Sequence, residues 1–197
     1  MELKFVLAIA SSILAIIVFI PYFIDIFKQK TQPHLYSWLI WGILQIVGTA
    51  AALKAGAGFG SWALGVGALF CLLIFLLSFK YGTKNIHRSD LFCLIAAFVA
   101  IGMYFLVENP LYSVLLVALT DFIGFLPTFR KAHQEPWSET FSTFFLSAVA
   151  NVMSLAALEA YSLTTALYLS SLFVTNGVMC LILYFGRRRM GPNAQIQ

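Results

Sequence analysis

The chain has 197 residues, of which 61% are hydrophobic and only 10% charged, and its formal net charge is +4. A soluble domain carries about a quarter charged residues, and a core of this length could not enclose so much apolar surface. An ordinary soluble globule is therefore excluded, lipid is the expected solvent, and the basic excess reads as membrane orientation rather than nucleic-acid binding.

In chain order, apolar runs cover 4–27, 37–55, 61–79, 90–107, 111–129, 139–158 and 163–186. About 20 apolar residues cross the hydrocarbon of a bilayer, and a spanning segment must satisfy its own backbone polar groups. The alternation of a membrane barrel strand is absent. The expected fold class is all-α, a polytopic membrane protein with seven transmembrane helices. The first run exceeds a usual signal-peptide core and is read as a retained helix. Lys28, Lys30, Lys80, Lys84, Arg88, Arg130, Lys131, Arg187, Arg188 and Arg189 fall on one side of this layout, and Lys4 and Lys54 on the other. The positive-inside rule then puts the N-terminus outside and the C-terminus in the cytoplasm of a multi-pass cell-membrane protein. Cys71, Cys93 and Cys180 lie within the runs, without ligand spacing, and read as small packing residues. No metal or cofactor is expected.

Shifting the chain by 103 residues lays KQKTQPHLYS (28–37) over KAHQEPWSET (131–140). Lys28 meets Lys131, Pro33 meets Pro136, Ser37 meets Thr140, and further on Tyr81 meets Tyr184. In each half a basic helix end leads through a proline loop to a hydroxyl residue. Proline favours an extended preceding residue, and Ser37, or Ser138 followed by Glu139, is expected to cap the next helix. The expected organisation is 1–83 as a first triple-helix repeat, 84–108 as a linker helix and 109–197 as a second repeat with a basic tail. Such a 3+1+3 plan gives both triplets the same orientation, as in transporters built from parallel repeats.

These features resemble the SWEET and PQ-loop superfamily of seven-helix transporters across nearly the whole chain. Pro21 and Pro127 resemble the proline of the family's PQ pair, with Tyr22 and Thr128 standing where the family has glutamine. VTNGVMCLILYF (174–185) resembles the SWEET pattern of an asparagine, a nearby glycine and a terminal aliphatic–tyrosine run. The resemblance implies alternating access and facilitated diffusion of a sugar-like or other small polar solute.

Ionisable groups at membrane depth are functional candidates by default. Asp121, Asn151, Asn176 and Gln45 lie near the middles of the fifth, sixth, seventh and second runs. The positions equivalent to the first three under the shift are Val18, Gly48 and Leu73, so the first half is expected to supply an apolar wall. Helical spacing aligns Trp38, Trp41, Gln45, Gly48 and Ala52 on one stripe, and Phe144, Ser147, Asn151, Ser154 and Leu158 on another. Asp121 aligns with Ala118, Gly124, Phe125 and Thr128. The expected substrate contacts are Asn176, Asn151, Asp121 and Gln45, with Trp41 and Phe144 as stacking surfaces. A low-dielectric carboxylate can exchange a proton as solvent access changes, which makes Asp121 the coupling candidate. The competing structural reading has the amides bonding neighbouring helices, one of them donating to Asp121. Trp38, Trp62 and Trp137 near helix starts read as interfacial anchors, and ALGVGA (63–68) as a close helix contact. Asp25 reads as interfacial, Asp90 and Glu139 as helix-start acids, and Glu108 and Glu159 as outer-loop residues. His34, His87 and His133 fall in inner loops without metal spacing.

The expected function is a carrier in which Pro21 and Pro127 serve as hinges, since proline removes an intrahelical bond. The alternative is a membrane receptor or adaptor of the same fold that binds a peptide or protein partner. An enzyme is not expected. One deep aspartate gives no aspartyl dyad, no His/Glu metal motif or GxSxG is present, and the seventh run lacks a lysine for retinal. The expected partners are a small-molecule solute and the lipid bilayer, and the resemblance allows a homo-oligomer.

Overall fold

The structure is a computed structural model that describes residues 2–54, 62–158 and 161–191. Its helices are α1 (Glu2–Ile17), α2 (Phe19–Phe27), α3 (Leu35–Lys54), α4 (Trp62–Tyr81), α5 (Arg88–Tyr104), α6 (Pro110–Gln134), α7 (Phe141–Ala157) and α8 (Leu163–Met190). No strand occurs among the described residues. Leu3–Phe27, Pro110–Gln134 and Thr165–Met190 are long and apolar enough to cross a membrane, and shorter apolar helices cover Leu35–Ala50, Gly65–Tyr81 and Phe141–Ala157.

The first expected helix is interrupted once. Val18 keeps helical dihedrals (φ −58°, ψ −23°), and its N–H still donates to Leu14 O at 3.0 Å. The interruption follows from Pro21, which has no N–H for the carbonyl four residues back. Thr143 of α7 donates its hydroxyl to Val18 O at 3.0 Å, the kind of side-chain bond that satisfies backbone near a membrane proline. Pro127, by contrast, sits inside an uninterrupted α6.

Several termini follow from local chemistry. Asn109 caps α6 by accepting from Leu111 N at 2.9 Å, with Pro110 opening the helix. Ser162 accepts from Thr165 N at 3.1 Å to open α8, and Gly191, at φ +70°, takes a positive-φ backbone open to glycine where α8 ends. The other expected caps are corrected. α3 begins at Leu35, so Ser37 already lies within its first turn and accepts instead from Thr128 Oγ1 of α6 at 2.8 Å. Ser138 donates to Glu135 O in the loop before α7, and Thr140 is the flanking residue, without a side-chain cap bond.

α4 lies against α3 and against α1 and α2; α8 lies against α6 and α7. Across these groups α1 packs on α7 and α3 on α6, while α5 packs on α6 and α3. The close α3–α4 approach uses the expected small residues: a Cβ on Gly67 would fall 2.0 Å from Gln45 Oε1. Tyr22, Ile26, Ile74, Met179 and Leu183 are fully buried, whereas Phe5, Phe92, Leu106 and Phe185 are exposed. Large apolar side chains on the outside as well as in the core suit an apolar solvent.

The loops after α2, α4 and α6 meet at one end of the bundle. Gln32 N donates to Ser138 O at 2.9 Å, and Thr83 N to Pro33 O at 3.1 Å. Arg187 Nε reaches Pro136 O at 3.0 Å. At the opposite end, Lys4 Nζ donates to Leu158 O at 2.7 Å.

Candidate functional site

A cavity of about 540 Å³ lies within the bundle, and all eight helices contribute to its lining. That volume falls in the usual range for small-molecule sites. Its aromatic floor (Phe19, Trp38, Phe125 and Phe144) faces the end where the basic loops meet. The lining continues past Asn151, Val117 and Leu169 toward the other end. Trp41 packs against Phe125 with ring centroids 4.7 Å apart, and Phe125 against Phe144 at 6.4 Å. Gly124 permits this wall, since a Cβ there would lie 3.0 Å from Trp41 Nε1.

Asn176, Asn151, Asp121, Gln45, Trp41 and Phe144 all line this cavity. Asp121 is 4% exposed, and its Oδ2 is buried without a hydrogen-bond partner. Neither asparagine supplies one. Asn151 Nδ2 donates to Ser147 O, and Asn176 Nδ2 to Leu172 O, each at 2.8 Å and each within its own helix. The amides therefore bond neither a neighbouring helix nor Asp121. Gln45 Nε2 donates to Cys71 Sγ at 3.1 Å, tying α3 to α4 at the cavity edge. Trp41 Nε1 is a second buried group without a partner. Among the described residues, no lysine, arginine or histidine lines the cavity.

The apolar wall assigned to the first half is formed in part. Val18 and Gly48 line the cavity, but Leu73 is 40% exposed and outside it, because the register of α4 turns that position outward. Of the aligned stripes, Trp38, Ser147 and Phe125 also reach the cavity, whereas Ser154 and Leu158 do not. The interfacial reading of Trp38 is overturned. The side chain is 4% exposed and lines the cavity, and its Nε1 donates to Tyr22 OH at 3.1 Å. Trp137 does sit at a helix end, donating to Gly191 O under the Arg187 guanidinium. Glu159 and the side chains of Ala52, Lys54 and Trp62 lie outside the described residues.

Beneath the aromatic floor lies a polar layer that residue spacing alone did not expose. Tyr22 OH donates to Glu139 Oε2 at 2.9 Å. The other oxygen, Oε1, lies 2.5 Å from Lys131 Nζ, an ionic contact rather than a well-directed hydrogen bond. Lys131 also donates to Gln32 O and Ser138 O. Thr31 and Thr140 share a hydrogen bond of 2.6 Å, and Thr140 donates to Asp25 Oδ2 at 2.9 Å. Glu139 thus bonds across the bundle from the loop before α7, and is not the simple helix-start acid expected. Burial pushes its carboxyl up, opposed by Lys131 and Tyr22.

Asp90 does accept from His87 N at the start of α5, at 2.7 Å, but it is also nearly buried and held by Arg130 through bonds of 2.6 and 3.1 Å. His34, fully buried, places Nε2 3.2 Å from Asp90 Oδ2, while Nδ1 has no partner. A neutral imidazole donating from Nε2 fits that geometry. Burial pushes His34 down from 6.5 to about 4, against the pull of Asp90 and with Lys131 and Arg130 adding to the depression. The repeat held the available signal for this layer: Tyr22 and Thr128, each following its proline, both reach the other half's junction, at Glu139 and Ser37. No family model matches the chain, and neither a curated protein nor a solved structure is found to resemble it.

Proposed function

We propose that the chain is a multi-pass membrane carrier of SWEET-like plan that moves a small solute by alternating access. In this reading α1–α4 form one triplet, with α1 and α2 acting as a single span, α5 is the linker and α6–α8 form the second triplet. Two features support the duplication. The third span of each group touches both others, and the first span of each packs on the middle span of the other. Ten basic residues collected at or near the ends joined by the inner loops support an N-out orientation.

The observation that carries the function is the central cavity, apolar and aromatic, holding a carboxylate that the protein leaves unpaired. Its floor and the polar layer beneath close one end, so exposure toward that end requires the two triplets to part. Pro21 and Pro127 lie on the spans that would bend. Asp121 is the group on which a proton could travel, and among the described residues Cys71, Tyr104 and Tyr168 are the other titratable side chains lining the cavity.

The test is uptake into proteoliposomes of sugars, amines, amino acids and vitamins, with and without a pH gradient. A carrier gives saturable flux above protein-free vesicles, and Asp121→Asn removes any response to the gradient. Gradient-driven uptake that survives Asp121→Asn unchanged eliminates coupling through this carboxylate. No flux together with stoichiometric co-purification of one protein favours the receptor or adaptor.

A further inference from the structure

We propose that the solute of this cavity is an organic ammonium ion with an aromatic or apolar body, held by Asp121 and the surrounding rings. The assignment rests on the cavity being the solute site proposed above, and it names the chemistry that site would select.

Charge balance comes first. Asp121 is 4% exposed and Oδ2 has no partner, yet an isolated buried carboxylate is among the most unfavourable groups to leave without a counter-charge. The described residues supply none nearby. Lys131, on the same helix, is ten residues away, about 15 Å along the axis, and is engaged by Glu139. Arg130 is occupied by Asp90. With no basic side chain among the described residues lining the cavity, a counter-cation for the ionised carboxylate is left for the solute to supply.

The hydrogen-bonding inventory points the same way. Asp121 offers an open acceptor, and the side-chain oxygens of Asn151 and Asn176 remain available once their amides have bonded Ser147 and Leu172. Trp41 Nε1 is the buried donor left open. An excess of acceptors suits a ligand that brings several N–H donors, so a primary ammonium fits better than a quaternary one. A zwitterionic amino acid would place its carboxylate where no cation waits. Trp41, Phe144 and Tyr168 supply ring faces, which attract a cation and cover an apolar body. A neutral sugar brings no counter-charge to an ionised Asp121.

Equilibrium binding to the purified full-length chain in detergent tests this without requiring flux. The probes are phenethylammonium, its neutral counterpart 2-phenylethanol, phenylacetate and zwitterionic phenylalanine. Phenethylammonium should bind about tenfold or more tighter than 2-phenylethanol, the size expected of a charge-assisted contact, and the anion and zwitterion should bind more weakly still. Asp121→Asn should collapse the ammonium-to-alcohol ratio to near one, and Asp121→Glu should retain a clear preference. Size exclusion and a thermal transition verify folding of each variant, and if Asp121→Asn fails to fold, the wild-type ratio decides alone. A wild-type ratio near one, or a ratio unchanged by Asp121→Asn, overturns the proposal. Selective ammonium binding with no uptake of the same probe overturns the carrier and leaves the cation site standing. Flux of a neutral solute without ammonium preference does the reverse.

Discussion

Among the buried side chains that leave a polar atom without a hydrogen bond are Asp121 in the cavity and His34 in the basic-end layer. The depth of Asp121 was legible in the sequence, because position along an apolar run maps directly onto depth in a helix. Direction around the helix was less legible. Asp121, Asn151 and Asn176 converge on one space, but Leu73, equivalent to Asn176 under the repeat, turns outward. The pairing of His34 with Asp90 was not legible, because the two lie far apart along the chain and no local spacing announces such a pair. The burial of His34 leads to a pH prediction. Between pH 6.5 and about 4 the unfolded chain takes up a proton at His34 that the folded chain refuses, so stability rises with pH across that window. At about 1.4 kcal/mol per unit, up to about 3 kcal/mol present above pH 6.5 is lost as pH falls toward 4. Asp90, Arg130 and Lys131 face the same imidazole and remain in both proteins if His34→Gln is compared with wild type. The wild-type melting midpoint in detergent should fall more steeply between pH 7 and 4 than that of His34→Gln; parallel curves would remove His34 as the cause.

At the scale of elements, helix existence followed from apolar length, and most ends fell within a few residues of the expected ones. The break at Val18 was implicit in Pro21. The junctions between helices were not legible in the same way, since a hydroxyl before a helix can cap it locally or bond elsewhere, and tertiary packing chose the second option for Ser37 and Thr140. The strongest such junction pairs Lys131 of α6 with Glu139 before α7, both essentially excluded from solvent. Tyr22 OH and two backbone carbonyls complete the arrangement. Removing one partner of a buried pair leaves an uncompensated charge, so Lys131→Met should destabilise by about 3–5 kcal/mol. Adding Glu139→Gln should recover a substantial part of that loss, because the stranded carboxylate is then gone. Chemical denaturation in a fixed detergent measures all three variants, and additive losses in the double variant would show that the two groups are not coupled.

Across the whole molecule most of the bonds described between the two halves gather at one end, with Lys4 to Leu158 at the other, whereas the cavity extends away from the basic loops. The shift of 103 residues made the paired junctions visible as a pattern, but only folding shows that each half grips the other: Tyr22 holds Glu139, Thr128 holds Ser37, and Thr31 meets Thr140. The proposed alternating access would require this end to separate in every cycle, so a single covalent tie here should stop flux if that reading holds. Thr31 and Thr140 are suited to that tie, since their hydroxyl oxygens lie 2.6 Å apart and both side chains are buried. Replacing both, as Thr31→Cys and Thr140→Cys, puts two sulfurs within reach of a disulfide after a small adjustment. Oxidation of the double variant should reduce solute uptake to the level of protein-free vesicles, and a reductant should restore it. Each single variant should transport equally under both conditions, which accounts for the native thiols Cys71, Cys93 and Cys180. Binding at the cavity should persist in the oxidised protein, because the lining on the far side of the aromatic floor is left in place. Full uptake by a quantitatively cross-linked protein would mean that the solute does not leave through this end, and the rocking of two triplets would have to be abandoned.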